Sequence, residues 1–172
     1  MQVIGEPLPP LETEVVADDV AVGRAAPVLI GENFAGETVR VDPAAPTMVV
    51  FLAHWCPHCN AEVPRLNELR DADRFPADLD IVAVSTAPDP GRPNFPPSDW
   101  ITDVDWTYPV IADGVDMARQ RFIAADAYGV SGFPFVVLLN ADGTVAARWS
   151  GEHETDEIID LIETNLAPAR GY

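Results

Sequence analysis

The chain has 172 residues and sets ten basic side chains against 28 acidic ones, for a net charge of −18 and a pI near 4.2. Every basic residue is Arg, and the lack of Lys excludes Schiff-base chemistry and a Walker-type phosphate loop. The negative balance argues against nucleic acid or an anionic membrane as partner, while 48% hydrophobic residues suit one domain with a real core.

Residues 1–22 carry Pro7, Pro9 and Pro10 among acidic residues, and read as an extended acidic arm or tether with at most one short edge strand. A domain is expected over 23–172. The first basic residue is Arg24, so no charged, apolar leader opens the chain. The protein is then either cytosolic or derived from a form whose leader or anchor has been removed. Val28–Ile30 and Thr38–Val41 read as a hairpin about a turn near Gly36. The apolar run Met48 to Ala53 suits a strand buried on both faces. Helical spacing follows from Cys59 to about Arg70, with Val63, Leu66 and Leu69 on one face, and Ile81 to Ser85 is a second buried strand.

Thr86 to Pro97 is a proline-rich loop, followed by a short helix from Ser98 to about Asp105 and a short strand from Tyr108 to Ala112. This loop is expected to start beside Cys56 if the strands ending at Ala53 and Ser85 are parallel neighbours. Asp113 is expected to cap a helix running to Tyr128, ended by Gly129. Phe135–Leu139 and Thr144–Trp149 flank an Asn140 to Gly143 hairpin turn. A last helix spans Thr155 to Leu166. No run is long enough to span a membrane, the longest being strand-sized.

Chemistry concentrates at the two cysteines, Cys56 and Cys59. A disulfide scaffold needs more cysteines spread along the chain. A structural zinc site needs four ligands, and His54, His58 and His153 are the only histidines available to complete one. The order strand, Cys-x-x-Cys, helix instead places Cys56 at a helix N-terminus, where the dipole favours a thiolate. Thiolate is the species that attacks a disulfide, and Cys59, about one turn on, is placed to resolve the mixed disulfide. A copper or zinc carrier using the Cys pair and a nearby His is the alternative of a different class; a peroxidase is a weaker third.

The stretch Ala53-His54-Trp55-Cys56-Pro57-His58-Cys59, with Glu62 and Pro64, resembles the active site of the thioredoxin superfamily. It is most similar to the TlpA-like, cell-envelope thiol-disulfide oxidoreductases, whose motif reads W-C-x-x-C-x-x-E-x-P. Tyr128 to Pro134 resembles the segment that bears the superfamily's cis-proline, and the likeness covers roughly residues 23–167. It implies an α/β thioredoxin-like fold, a mixed central sheet flanked by helices, with an extra N-terminal hairpin. It also implies disulfide exchange with protein thiols or disulfides, no bound cofactor, a membrane or soluble redox partner, a monomer and a bacterial cell-envelope location.

The roles carried over are attack by Cys56, resolution by Cys59, thiolate stabilisation by His58, and proton transfer by Glu62. Trp55, Pro57, Phe133 and Pro134 would line the substrate groove. The chain departs from thioredoxins proper at Val50, where they carry a buried Asp, which leaves Glu62 as the proton carrier. Pro57-His58 resembles the dipeptide of the DsbA-type oxidases. Phe133 and Phe135 are bulkier than usual beside the cis-proline. His54 reads as a surface residue, and Trp100 and Trp106 as packing.

Overall fold

A computed structural model describes residues 1–13 and 16–166. In chain order the strands and helices are β1 (Gln2–Ile4), β2 (Val28–Glu32), β3 (Thr38–Val41), β4 (Thr47–Leu52), α1 (Pro57–Asp71), β5 (Asp80–Ser85) and α2 (Pro97–Asp103). There follow β6 (Val110–Ala112), β7 (Val115–Asp116), β8 (Arg121–Phe122), α3 (Ile123–Ala127), β9 (Phe135–Leu139), β10 (Val145–Ser150) and α4 (Thr155–Asn165).

Among the described residues, eight strands form one mixed sheet in the order β1-β2-β6-β5-β4-β9-β10, with β3 also paired to β2. The fold is thioredoxin-like, with β2 and β3 forming the expected additional hairpin. Strand β4 is central and wholly buried, as its unbroken apolar run requires. Its even-numbered side chains, Met48, Val50 and Leu52, pack with α1, α2 and α4. Val49 and Phe51 face the other way, toward α3 and Tyr128.

Topology then assembles one functional edge. Strand β4 runs parallel to β5, with Leu52 opposite Ser85, so the chain leaves both strands on the same side. Strand β9 runs antiparallel to β4 with Phe135 opposite Phe51, so the segment entering β9 arrives at that same edge. The Cys-x-x-Cys, the loop after Ser85 and Phe133-Pro134 are therefore brought together by register alone.

Two expectations are modified. The described part of residues 1–22, read as an arm, is held against the domain. Strand β1 is indeed an edge strand on β2, but Leu8, Asp19 and Ala21 are buried. Leu8 N–H donates to the Ala127 carbonyl at 2.9 Å, and Asp19 forms a doubly hydrogen-bonded ion pair with Arg148 of β10, both bonds at 2.7 Å. An arginine at the centre of a buried strand needs a carboxylate, and the N-terminal segment brings it.

The helix expected over 113–128 is short. Met117 to Arg121 offers no apolar face, and β7 and β8 form a small hairpin there. Asp113 caps the remaining helix across this insertion, accepting from Ala124 N–H at 2.8 Å and Ala125 N–H at 3.2 Å. Gly129, at φ 66°, ends α3 as expected. A Cβ there would also lie 2.3 Å from the Pro9 carbonyl oxygen. Residues 167–172, within the expected domain span, lie outside the described residues.

Candidate active site

Cys56 is the N-cap of α1 and Pro57 its first residue, a position where proline's missing N–H costs nothing. Both cysteines are free thiols and buried. The Cys56 thiol donates toward the Phe133 carbonyl at 3.4 Å. Cys59 lies deeper, its Sγ accepting from Ala53 N–H at 3.5 Å. Burial pushes the Cys59 thiol well above its ordinary value; the Ala53 bond opposes this, while Cys56 and Glu62 add to it. The Phe133–Pro134 bond is cis, as the Gly132-Phe133-Pro134 segment led us to expect.

Glu62 is fully buried one turn beyond Cys59, on the same side of α1. Its Oε2 accepts from His153 N–H at 2.9 Å, and Oε1 has no hydrogen-bond partner among the described residues. Burial pushes its pKa up to about 7, against the His153 bond and the Arg65 guanidinium at 4.0 Å, with Glu152 and Glu154 adding to the rise.

His58 is exposed and turned outward. Its Nδ1 lies 3.2 Å from Glu152 Oε1, an oxygen acceptor rather than a sulfur. Arg65 joins the same cluster, donating to Glu152 at 2.9 Å and Glu154 at 2.7 Å. Pro57 is exposed beside His58, Trp55 and Phe133 are half-buried, and Pro134 is buried. Trp55 and Phe133 meet edge to face with centroids 6.0 Å apart.

The expected surface position of His54 is overturned: it is fully buried. Its Nδ1 donates to the Pro93 carbonyl at 2.7 Å, and its Nε2 accepts from Asp89 N–H at 3.1 Å. A carbonyl can only accept and an amide only donate, so the ring is neutral with its proton on Nδ1. His54 therefore clamps the proline-rich loop to the cysteine edge. Trp55 Nε1–H donates to the Ala87 carbonyl at 2.8 Å, and Asn94 donates to the His54 carbonyl at 2.9 Å. Phe95 is exposed against the His54 ring, whereas Trp100 is buried in the core and donates to Asn60 at 2.9 Å. Only one sequence signal pointed to this clamp. A histidine directly continued a strand whose every other residue was buried apolar, where a polar ring must find partners.

Among the described residues no group of three His, Cys, Asp or Glu side chains is arranged to hold a metal ion. His54, the histidine nearest the pair in sequence on the strand side, has both ring nitrogens engaged by the loop.

A strand-borne Cys-x-x-Cys at a helix N-terminus, facing a cis-proline, defines the class of redox proteins with the thioredoxin fold. The chain belongs to the thioredoxin-like domain family, whose profile matches residues 41–165. It is 33% identical over 129 residues to the soluble secreted antigen MPT53 of Mycobacterium tuberculosis, covering 75% of this chain and 65% of that protein, just under two thirds of its length. It is 25% identical over 147 residues to the thiol-disulfide oxidoreductase ResA of Geobacillus thermodenitrificans, covering 84% of this chain and 78% of ResA. The crystal structure of a DsbF homologue from Corynebacterium diphtheriae superposes with a TM-score of 0.68 at 18% identity, over 94% of this chain and 99% of that one.

Proposed function

We propose that the protein is a thiol-disulfide oxidoreductase acting on protein substrates through Cys56 and Cys59. The observation that carries this is the thiol of Cys56, at a helix N-terminus and directed at the Phe133 carbonyl beside cis-Pro134, with Cys59 buried behind it. A Phe133 backbone at this edge suits pairing with an extended substrate segment, as an added strand would.

The Cys56 thiolate, favoured by the helix dipole, attacks one sulfur of the substrate disulfide. A Cys56–substrate bond forms and the other substrate sulfur leaves as a thiolate. Cys59 then loses its proton to Glu62 and attacks the Cys56 sulfur. The Cys56–Cys59 disulfide forms, the second substrate thiolate departs, and Glu62 returns the proton. Run backwards, the same steps oxidise a dithiol. Glu62 suits the role because it is the buried carboxylate that titrates near neutrality. His58 and Trp55 sit at the rim, where His58 in its cationic form lends charge to the thiolate. The secreted relative supports an extracytoplasmic, cell-envelope location, and the folded chain is read as a monomer.

The test is a trap. Reduced protein should convert a peptide disulfide to its two thiols, one equivalent per chain. Cys59→Ser should instead accumulate a mixed disulfide at Cys56, visible by intact mass, and Cys56→Ser should do neither. Stoichiometric metal binding without disulfide turnover would replace this reading with the metal-carrier alternative.

A further inference from the structure

The loop between β5 and α2 does more than connect them. It is anchored at three points on the residues leading into the cysteine pair: His54 holds Asp89 and Pro93, Trp55 holds Ala87, and the His54 carbonyl holds Asn94. This anchoring lays Arg92 across the Trp55 ring, its guanidinium carbon 4.4 Å from the ring centroid. Trp55 is in turn the neighbour of Phe133, whose carbonyl faces Cys56. One Arg, one Trp and the cis-proline segment therefore form a continuous surface ending at the reactive sulfur.

Arg92 differs from the other basic groups near this edge. Arg65 is committed to Glu152 and Glu154, and His58 to Glu152. Arg92 has only a loose pairing of its Nε with Asp89 at 3.4 Å, and its side chain is 54% exposed. The Asp89 carboxylate already accepts from Gly91 N–H at 2.9 Å. The two terminal nitrogens of Arg92 make no hydrogen bond among the described residues. The contact with the Trp55 ring holds the guanidinium in place and leaves its terminal nitrogens free for a planar acceptor.

We propose that Arg92, laid over Trp55 by the loop that His54 clamps, recognises a carboxylate within two residues of the substrate's reactive cysteine. An extended segment advances about 3.3 Å per residue, so its neighbours on the Trp55 side pass over the indole toward Arg92. The chain's charge of −18 does not oppose this at close range. At physiological salt, charges beyond about 8 Å are screened, and the local balance at the groove rim governs. The acidic substrate class rests on the oxidoreductase reading above.

The probes are three otherwise identical peptide disulfides with Glu, Gln or Lys flanking the cysteine. The reduced full chain is mixed with each, and oxidation of its cysteines is followed by stopped-flow fluorescence. Native protein should react about threefold to fivefold faster with the Glu peptide than with the Gln peptide, the range of an exposed charge pair. Arg92→Ala should erase that preference, so that the Glu peptide reacts no faster than the Gln peptide. Arg92→Glu should reverse it in favour of Lys.

A preference for Glu that survives Arg92→Ala overturns the proposal. So does native protein that favours Lys or shows no preference, in which case Arg92 is a strut on Trp55. Failure to react with all three peptides overturns the oxidoreductase reading itself.

Discussion

Two carboxylates are shut away from solvent on opposite faces of the sheet, and the same burial leaves one a charged strut and the other a group that titrates near 7. Asp19 packs near Tyr128 on the α3 side, and Glu62 projects from α1 on the other. Burial pushes both pKa values up. At Asp19 the two Arg148 hydrogen bonds, the Ala21 N–H bond and the Arg148 charge outweigh burial, and the carboxyl ends below its ordinary value. At Glu62 one backbone bond and an arginine 4.0 Å away do not, and the group rises to about 7. What decides is how much compensating charge touches the carboxylate. Full compensation gives a fixed ion pair; partial compensation leaves a group poised to exchange a proton.

The largest effect should follow from breaking the compensated pair. Asp19→Asn leaves Arg148 buried without its counter-ion, a loss of about 3–5 kcal/mol, read from denaturant unfolding at pH 7. The sign with pH follows from the lowered value. Asp19 contributes its stability above the ordinary 3.8 and loses it as pH falls through the depressed folded pKa. The variant should therefore lose part of the native protein's acid limb. A loss under about 1 kcal/mol would show that the N-terminal segment is held by its other contacts, and that this pair is no strut.

Glu62→Gln should act in the opposite direction on stability. The folded protein holds the Glu62 proton more tightly than the unfolded chain, so the group costs nothing below its ordinary 4.5. The penalty then grows as pH rises to about 7. That interval corresponds to about 3 kcal/mol, part of which the variant forfeits because one amide group remains unpartnered where Oε1 now lies. Gln still accepts from His153 N–H. A net gain of about 1–2 kcal/mol at pH 8, absent at pH 4, is expected from the same unfolding measurement. Release of the mixed disulfide should meanwhile slow about a hundredfold, the loss of one proton-transfer group. A variant that is stabilised yet resolves at the native rate would remove Glu62 from the chemistry.

The contrast also marks what the sequence could tell. Glu62 was legible because the thiol beside it is local: it shares a helix face with Cys59 inside a recognisable spacing, although its hydrogen-bond donor, His153, lies 91 positions away. The cysteine edge was legible for the same reason, since strand, motif, helix and Gly132-Phe133-Pro134 each signal through neighbouring residues. Asp19 and Arg148 are 129 positions apart, and nothing near either residue announces the other. Arg148 interrupts the run Val145 to Trp149 with no acidic residue near it in sequence on that strand. His54 was misread for a related reason, because its ligands are backbone atoms of a distant loop, and backbone groups carry no sequence signature. Asp113 was read as a cap and does cap α3, but the helix that it serves begins beyond an insertion no local pattern revealed.

The smallest effect belongs to the exposed counterpart of these buried groups, His58 with Glu152. Under the proposed mechanism, cationic His58 would stabilise the Cys56 thiolate, and hence the reduced protein, so removing it should make the potential of the pair more negative. Both partners are substantially solvated, with side chains 63% and 36% exposed, and Glu152 offsets the charge that His58 offers the sulfur. An interaction of this kind is worth about 0.5–1 kcal/mol, or about 10–20 mV for a two-electron couple. His58→Ala, equilibrated against glutathione at pH 7, should show a negative shift of that size. A shift of 60 mV or more would mean that His58 turns from Glu152 to the sulfur once the thiolate forms, since about 2.7 kcal/mol exceeds what a solvated pair supplies. No shift, or a positive one, would make the helix terminus the sole source of thiolate stabilisation and His58 a rim residue held by Glu152.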